Sequence, residues 1–69
     1  MVFEKTLVRE GQTRSFHIAW TPEGWEVSEQ GQEQEARRQK HTDWHRVERT
    51  VARFTRQIDE LRRDGWTEF

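Results

Sequence analysis

Four arginines, Arg46, Arg49, Arg53 and Arg56, recur at steps of three, four and three residues. On a helix turning about 100° per residue they share one face. A row of guanidinium groups grips phosphate oxygens well, because each planar fork carries several N–H donors and a permanent positive charge. Arg37, Arg38 and Lys40 stand close enough in the chain to extend the patch. The chemistry on offer is anion recognition, with nucleic acid as the natural polyanion. A plainer account competes with it: a charged outer face keeps a core-facing helix soluble, and Glu48, Glu60 and Asp64 border or continue that face with acid. On that face no aromatic residue is interleaved with the arginines, which weakens any stacking of unpaired bases along the row.

His41 and His45 have the i, i+4 spacing of a helical metal site, with Asp43 and Glu48 nearby. A helix cap is expected between them, however, which puts His41 outside the helix. No third ligand is clear, so no metal is assigned. His17 alternates onto the polar side of a strand beside Ser15 and reads as an ordinary exposed histidine. There is no cysteine, no glycine-rich phosphate loop and no isolated carboxylate pair in an apolar setting. So short a chain also leaves little room for a deep pocket beside its own core. The expectation is a protein that is not an enzyme and needs no cofactor.

The arginines must be held by a helix, and its signature is strong. Trp44, Val47, Val51, Phe54, Ile58 and Leu61 form an apolar stripe on the side opposite the arginines. Thr42 and Asp43 offer N-capping oxygens, and Gly65 stands where a left-handed C′ residue is needed, with Trp66 behind it to pack back on Leu61. The stripe covers fewer than three heptads, with poorly paired charges at its flanks, so packing on a sheet suits it better than a coiled coil.

Before the helix the period changes to two. Phe16, Ile18 and Trp20 alternate with Ser15, His17 and Ala19, and Trp25 and Val27 with Glu26 and Ser28. Thr21-Pro22-Glu23-Gly24 is a turn, so residues 14–20 and 25–30 make a hairpin. Residues 2–9 form an earlier strand joined through Glu10-Gly11-Gln12-Thr13. Phe3 and Leu7 are placed inward because they bury more area, which leaves Lys5 on the same face, snorkelling outward. Residues 31–40 fit a polar fourth strand at the sheet edge better than a helical extension or a mobile loop, since charged edges discourage edge-to-edge pairing. The apolar stripe is about 26 Å long at ~1.5 Å per residue. Four strands of about seven residues give a sheet diagonal near 27 Å. One helix can therefore cover one sheet on a diagonal.

These elements define an α+β domain over residues 1–69. A three- or four-stranded antiparallel β-meander (sheet 2–40) is covered on one face by a long C-terminal helix (43–64). The expected core is Leu7, Phe16, Ile18, Trp20, Trp25, Val27, Trp44, Val47, Val51, Phe54, Ile58, Leu61 and Trp66. Only 30% of the 69 residues are hydrophobic. The four tryptophans and four phenylalanines must therefore carry much of the burial. Net charge is −1 overall but unevenly spread. Residues 1–36 hold three basic against seven acidic groups, residues 37–56 seven against two, and residues 57–69 two against four. The basic central block suits an anionic partner, or an electrostatic contact within the chain. Met1 leads into Val-Phe-Glu-Lys with no apolar run, and no stretch is apolar enough to span a bilayer, so a cytoplasmic location without membrane contact is expected.

Phe16-His17-Ile18, Trp25-Glu26-Val27, a following Gly-Gln pair, Ala52-Arg53-Phe54 and the closing Gly65-Trp66 together resemble the layout of WGR domains. The resemblance implies a strand meander beside a helix. In poly(ADP-ribose) polymerases the tryptophan and arginine of the family's signature stretch contact DNA ends. Here Val27 is followed by Ser28-Glu29-Gln30-Gly31-Gln32, so the Trp-Gly-Arg signature is absent and those contacts do not carry over. The resulting expectation is a small non-enzymatic protein-interaction module with a protein partner, as a monomer or weak homodimer. The alternative is a nucleic-acid-binding domain using Arg46, Arg49, Arg53, Arg56, Arg37, Arg38 and Lys40.

Overall fold

The period-two segments become three antiparallel strands: β1 (Phe3–Arg9), β2 (Gln12–Thr21) and β3 (Gly24–Gly31). The computed structural model describes residues 3–31 and 37–69. A short polar strand β4 (Arg37–His41), the helix α1 (Trp44–Arg63) and a two-residue strand β5 (Thr67–Glu68) complete the fold. The sheet order is β4-β3-β2-β1-β5, a meander closed on its far edge by the returning chain end. The expected polar edge strand is present over 37–41; residues 32–36 lie outside the described residues. The fifth strand is an addition, too short to leave a periodic signal.

Turn chemistry sets the register. Arg9 pairs with Gln12 around Glu10 and Gly11, whose φ values of 49° and 80° have the signs of a type I′ turn, the form that matches strand twist. Thr21 pairs with Gly24 around Pro22-Glu23, and the Thr21 hydroxyl donates to the Gly24 carbonyl at 2.8 Å. Gly24 has φ 129°, and a Cβ there would lie 2.9 Å from the His41 carbonyl oxygen. Glycine thus lets the start of β3 approach the end of β4, where Trp25 pairs with His41.

Both helix ends form as their residue types require. Asp43 is the N-cap, its carboxylate accepting from the His45 N–H at 3.0 Å. At the other end the Trp66 N–H donates to the Leu61 carbonyl at 3.0 Å and the Gly65 N–H to that of Arg62 at 3.1 Å, the paired bonds of a Schellman motif.

The helix packs on the sheet through Val47, Phe54 and Ile58 against Leu7, Phe16, Ile18 and Val27. The Phe54 ring lies 4.9 Å from that of Phe16 and 6.0 Å from that of Phe3. Phe3, Trp25, Val51, Leu61 and Trp66 pack around this centre, partly buried. Leu7 faces inward as expected, and Lys5 on the same face reaches Glu68 at 2.6 Å. Thr50 is also buried, its hydroxyl satisfied by the Arg46 carbonyl one turn back at 3.0 Å.

Two expected core residues are not in the core. Trp20 is 59% exposed and Trp44 41%. The cause is the path of the helix. It starts beside the Trp25 end of β3 and β4, and its C-terminal end leads into β5 on the β1 edge, so it crosses the sheet obliquely. Trp20 belongs to the last inward-facing pair of β2 before its turn, past the reach of α1. Trp44 is the first helical residue and flanks the interface instead of lying within it.

Candidate functional site

An oblique helix leaves two regions of the sheet's inner face incompletely covered, and they differ in chemistry. The first is aromatic. Trp20 and Trp25 are cross-strand partners with ring centroids 4.9 Å apart, and Trp25 lies 4.8 Å from Trp44. The three indoles make a continuous group with Trp25 half-buried in the middle. The Trp44 Nε1–H donates to Glu48 Oε1 at 2.6 Å, which fixes one ring against the first helical turn. Strand alternation assigned Trp20 and Trp25 to the core, and the helical stripe assigned Trp44. Alternation shows which side of a sheet a residue is on; it does not show how far a helix reaches across that side.

The second region is charged. Cross-strand partners share a face, so Arg37 opposite Glu29, Gln39 opposite Val27 and His41 opposite Trp25 all lie on the helix side of the sheet. Arg38, opposite Ser28, and Lys40, opposite Glu26, lie on the other side. The basic residues of the sequence are thereby separated. Arg37 lines a cleft with Glu29, Gln39 and Val27 from the sheet and Arg53 and Phe54 from the helix, with a volume of about 50 Å³. Arg46, Arg49 and Arg56 are exposed along the outer helix surface. Lys40 is engaged elsewhere, with its ammonium 2.6 Å from Glu23. Their hydrogen bond, then their mutual attraction, raises the Lys40 pKa and lowers that of Glu23.

Within the cleft, Arg53 lies over the Phe54 ring at 5.4 Å from its centroid, which restrains the guanidinium. Among the described residues the one acid lining it is Glu29, 3.3 Å from the Arg14 guanidinium. On the same helix, Gln57 has a buried side-chain oxygen with no hydrogen-bond partner among the described residues. Glu29 and Gln39 were not singled out by sequence reasoning; their only signal is that they share inward parity with Val27 in a four-strand register.

The two spaced histidines are held apart by the cap. His41 ends β4, half-buried, while His45 is in the first helical turn with its side chain 83% exposed. Among the described residues no group of three or more His, Cys, Asp or Glu is arranged to hold a metal ion. No helix among them is long and apolar enough to cross a membrane.

Compared with known proteins, the chain matches no family model, no curated protein and no solved structure.

Proposed function

We propose that this protein is a non-enzymatic interaction module that presents the Trp20–Trp25–Trp44 corner to a protein partner. The observation that carries this reading is the exposure of Trp20, 59%, and Trp44, 41%, in a fold with few large apolar residues to spend. Tryptophan is enriched among the residues that dominate binding energy at protein interfaces. A contiguous group of three such rings is more than the scattered apolar exposure of an ordinary surface.

Trp20→Ser tests it. The side chain contributes little to the core, so the variant keeps its fold, checked by near-UV circular dichroism and melting. Immobilised native protein should recover a defined protein from its own lysate that Trp20→Ser does not. Recovery of the same proteins by both would overturn the assignment.

A second reading, nucleic-acid binding along the arginine face, is favoured by the meeting of Arg37 with Arg53 across the cleft.

A further inference from the structure

We infer that the cleft between β4 and α1 seats one phosphodiester group of a nucleic-acid strand, held between Arg37 and Arg53. The inference rests on the nucleic-acid reading and gives it a definite site. The inner face of a sheet under a helix is ordinarily apolar, as Phe16, Ile18 and Val27 are here. On β4 that face is instead Arg37, Gln39 and His41, so the helix-side surface of this strand is built from hydrogen-bonding groups. Arg37 comes from a strand and Arg53 from a helix, and only the tertiary fold brings them to one cavity.

The cavity suits a small tetrahedral anion. About 50 Å³ holds a few water molecules or a single phosphate group. Among the described residues two guanidinium groups line it against one carboxylate, and that carboxylate is 3.3 Å from a third guanidinium, that of Arg14. Among the described residues the balance in and around the cleft is therefore positive. Arg53 is restrained by the Phe54 ring, so less side-chain freedom is lost when it binds. Gln39 adds an uncharged amide that can donate to a phosphate oxygen.

The helix selects among phosphate-bearing ligands. Arg46, Arg49, Arg53 and Arg56 span ten residue steps, about 15 Å of helix at ~1.5 Å per residue. A lone phosphate or a small phosphorylated metabolite engages the cleft alone. A polyanion with regularly repeated charge engages the cleft and the exposed arginines together, releasing counterions at each contact.

The test is fluorescence anisotropy with a short labelled oligonucleotide, single-stranded and as a duplex, from about 50 to 200 mM salt. Arg37→Gln and Arg53→Gln should each weaken binding about five-fold or more and lower the salt slope by about one. Arg38→Gln, on the opposite face of the sheet, should change affinity by less than about two-fold. Unchanged far-UV spectra and melting of the variants will show that the fold is kept. No binding of either nucleic acid at low salt overturns both the nucleic-acid reading and the cleft. Binding that Arg37→Gln and Arg53→Gln weaken no more than Arg38→Gln does leaves the reading intact and overturns the cleft. Cleft-dependent binding of a phosphoserine peptide without binding of nucleic acid overturns it in favour of a phosphoprotein partner.

Discussion

Phe54 is fully buried between Phe3 and Phe16, while its neighbour Arg53 lies across the same ring at the cleft wall. One residue thus links the core to the charged region. Truncating a buried phenylalanine costs about 3–5 kcal/mol, from lost transfer energy plus the cavity left behind. A chain of 69 residues has a total stability of about 3–10 kcal/mol. Phe54→Ala should therefore lose between about a third and all of that stability, read by the shift or loss of a cooperative urea transition. Glu10 offers a change in the other direction. It holds φ 49°, a region that costs a residue with an ordinary side chain and suits asparagine in a type I′ turn. Glu10→Asn should raise stability by about 0.5–1 kcal/mol, measured as a shift of the urea midpoint at constant m. Residue-scale features of this kind are legible in sequence where the requirement is local. Asp43, Gly65 and Trp66 each meet a need set within one helical turn, and each stands where the sequence places it. Trp20 and Trp44 are different: their exposure depends on the crossing path of a helix, which no local pattern encodes.

Among the elements, β5 is held by side chains more than by its length. Two residues pair with β1, and Glu68 adds bonds to Lys5 at 2.6 Å and Arg62 at 3.2 Å, joining strand, sheet edge and helix end. The hydrogen bond and the attraction from Lys5, with a smaller part from Arg62, hold the Glu68 carboxyl below its ordinary pKa. A depressed folded-state pKa means that the stabilisation is fully present above the unfolded carboxylate range. It is lost as pH falls through the folded value. Replacing Lys5 by Met removes the main cause, so the Glu68 midpoint should rise in an NMR carboxyl titration and the acid edge of β5 should move up in pH. An unchanged midpoint in Lys5→Met would count against the pairing. Polar β4 is the element that sequence reading placed best without a core signal, because a run of charged residues has few stable places in a sheet other than its edge. Its most consequential property stayed hidden. Arg37 and Arg38 are adjacent in the chain yet emerge on opposite faces, and only the register with Glu29 and Ser28 tells them apart.

The whole molecule measures 37 × 21 × 17 Å, thin enough in its shortest direction for a single layer of helix on a single sheet. One helix laid obliquely cannot cover every inward residue of a five-stranded sheet, and the aromatic and charged regions are what it leaves. The proposed protein surface and the proposed phosphate seat share no residue. Trp20→Ser should therefore leave oligonucleotide affinity unchanged, and Arg53→Gln should leave protein recovery unchanged, with the double variant no worse in either readout than the corresponding single one. Coupling between them would mean that one contiguous partner spans both regions.

The pairing of β5 with β1 also bears on how the chain reaches this fold. The β1–β2 and β2–β3 hairpins close across turns of two residues, and β4 and α1 follow β3 in order. The β1–β5 pairing joins Leu7 and Val8 to Glu68 and Thr67, near opposite ends of the chain. The loop-closure entropy for that contact is the largest of any strand pair, and two residues return little for it. The meander and helix are therefore expected to assemble first, with the last strand docking onto an edge already in place. It is a latch, expected to be the final step in folding and the first to open, which amide exchange at Thr67 and Glu68 will show.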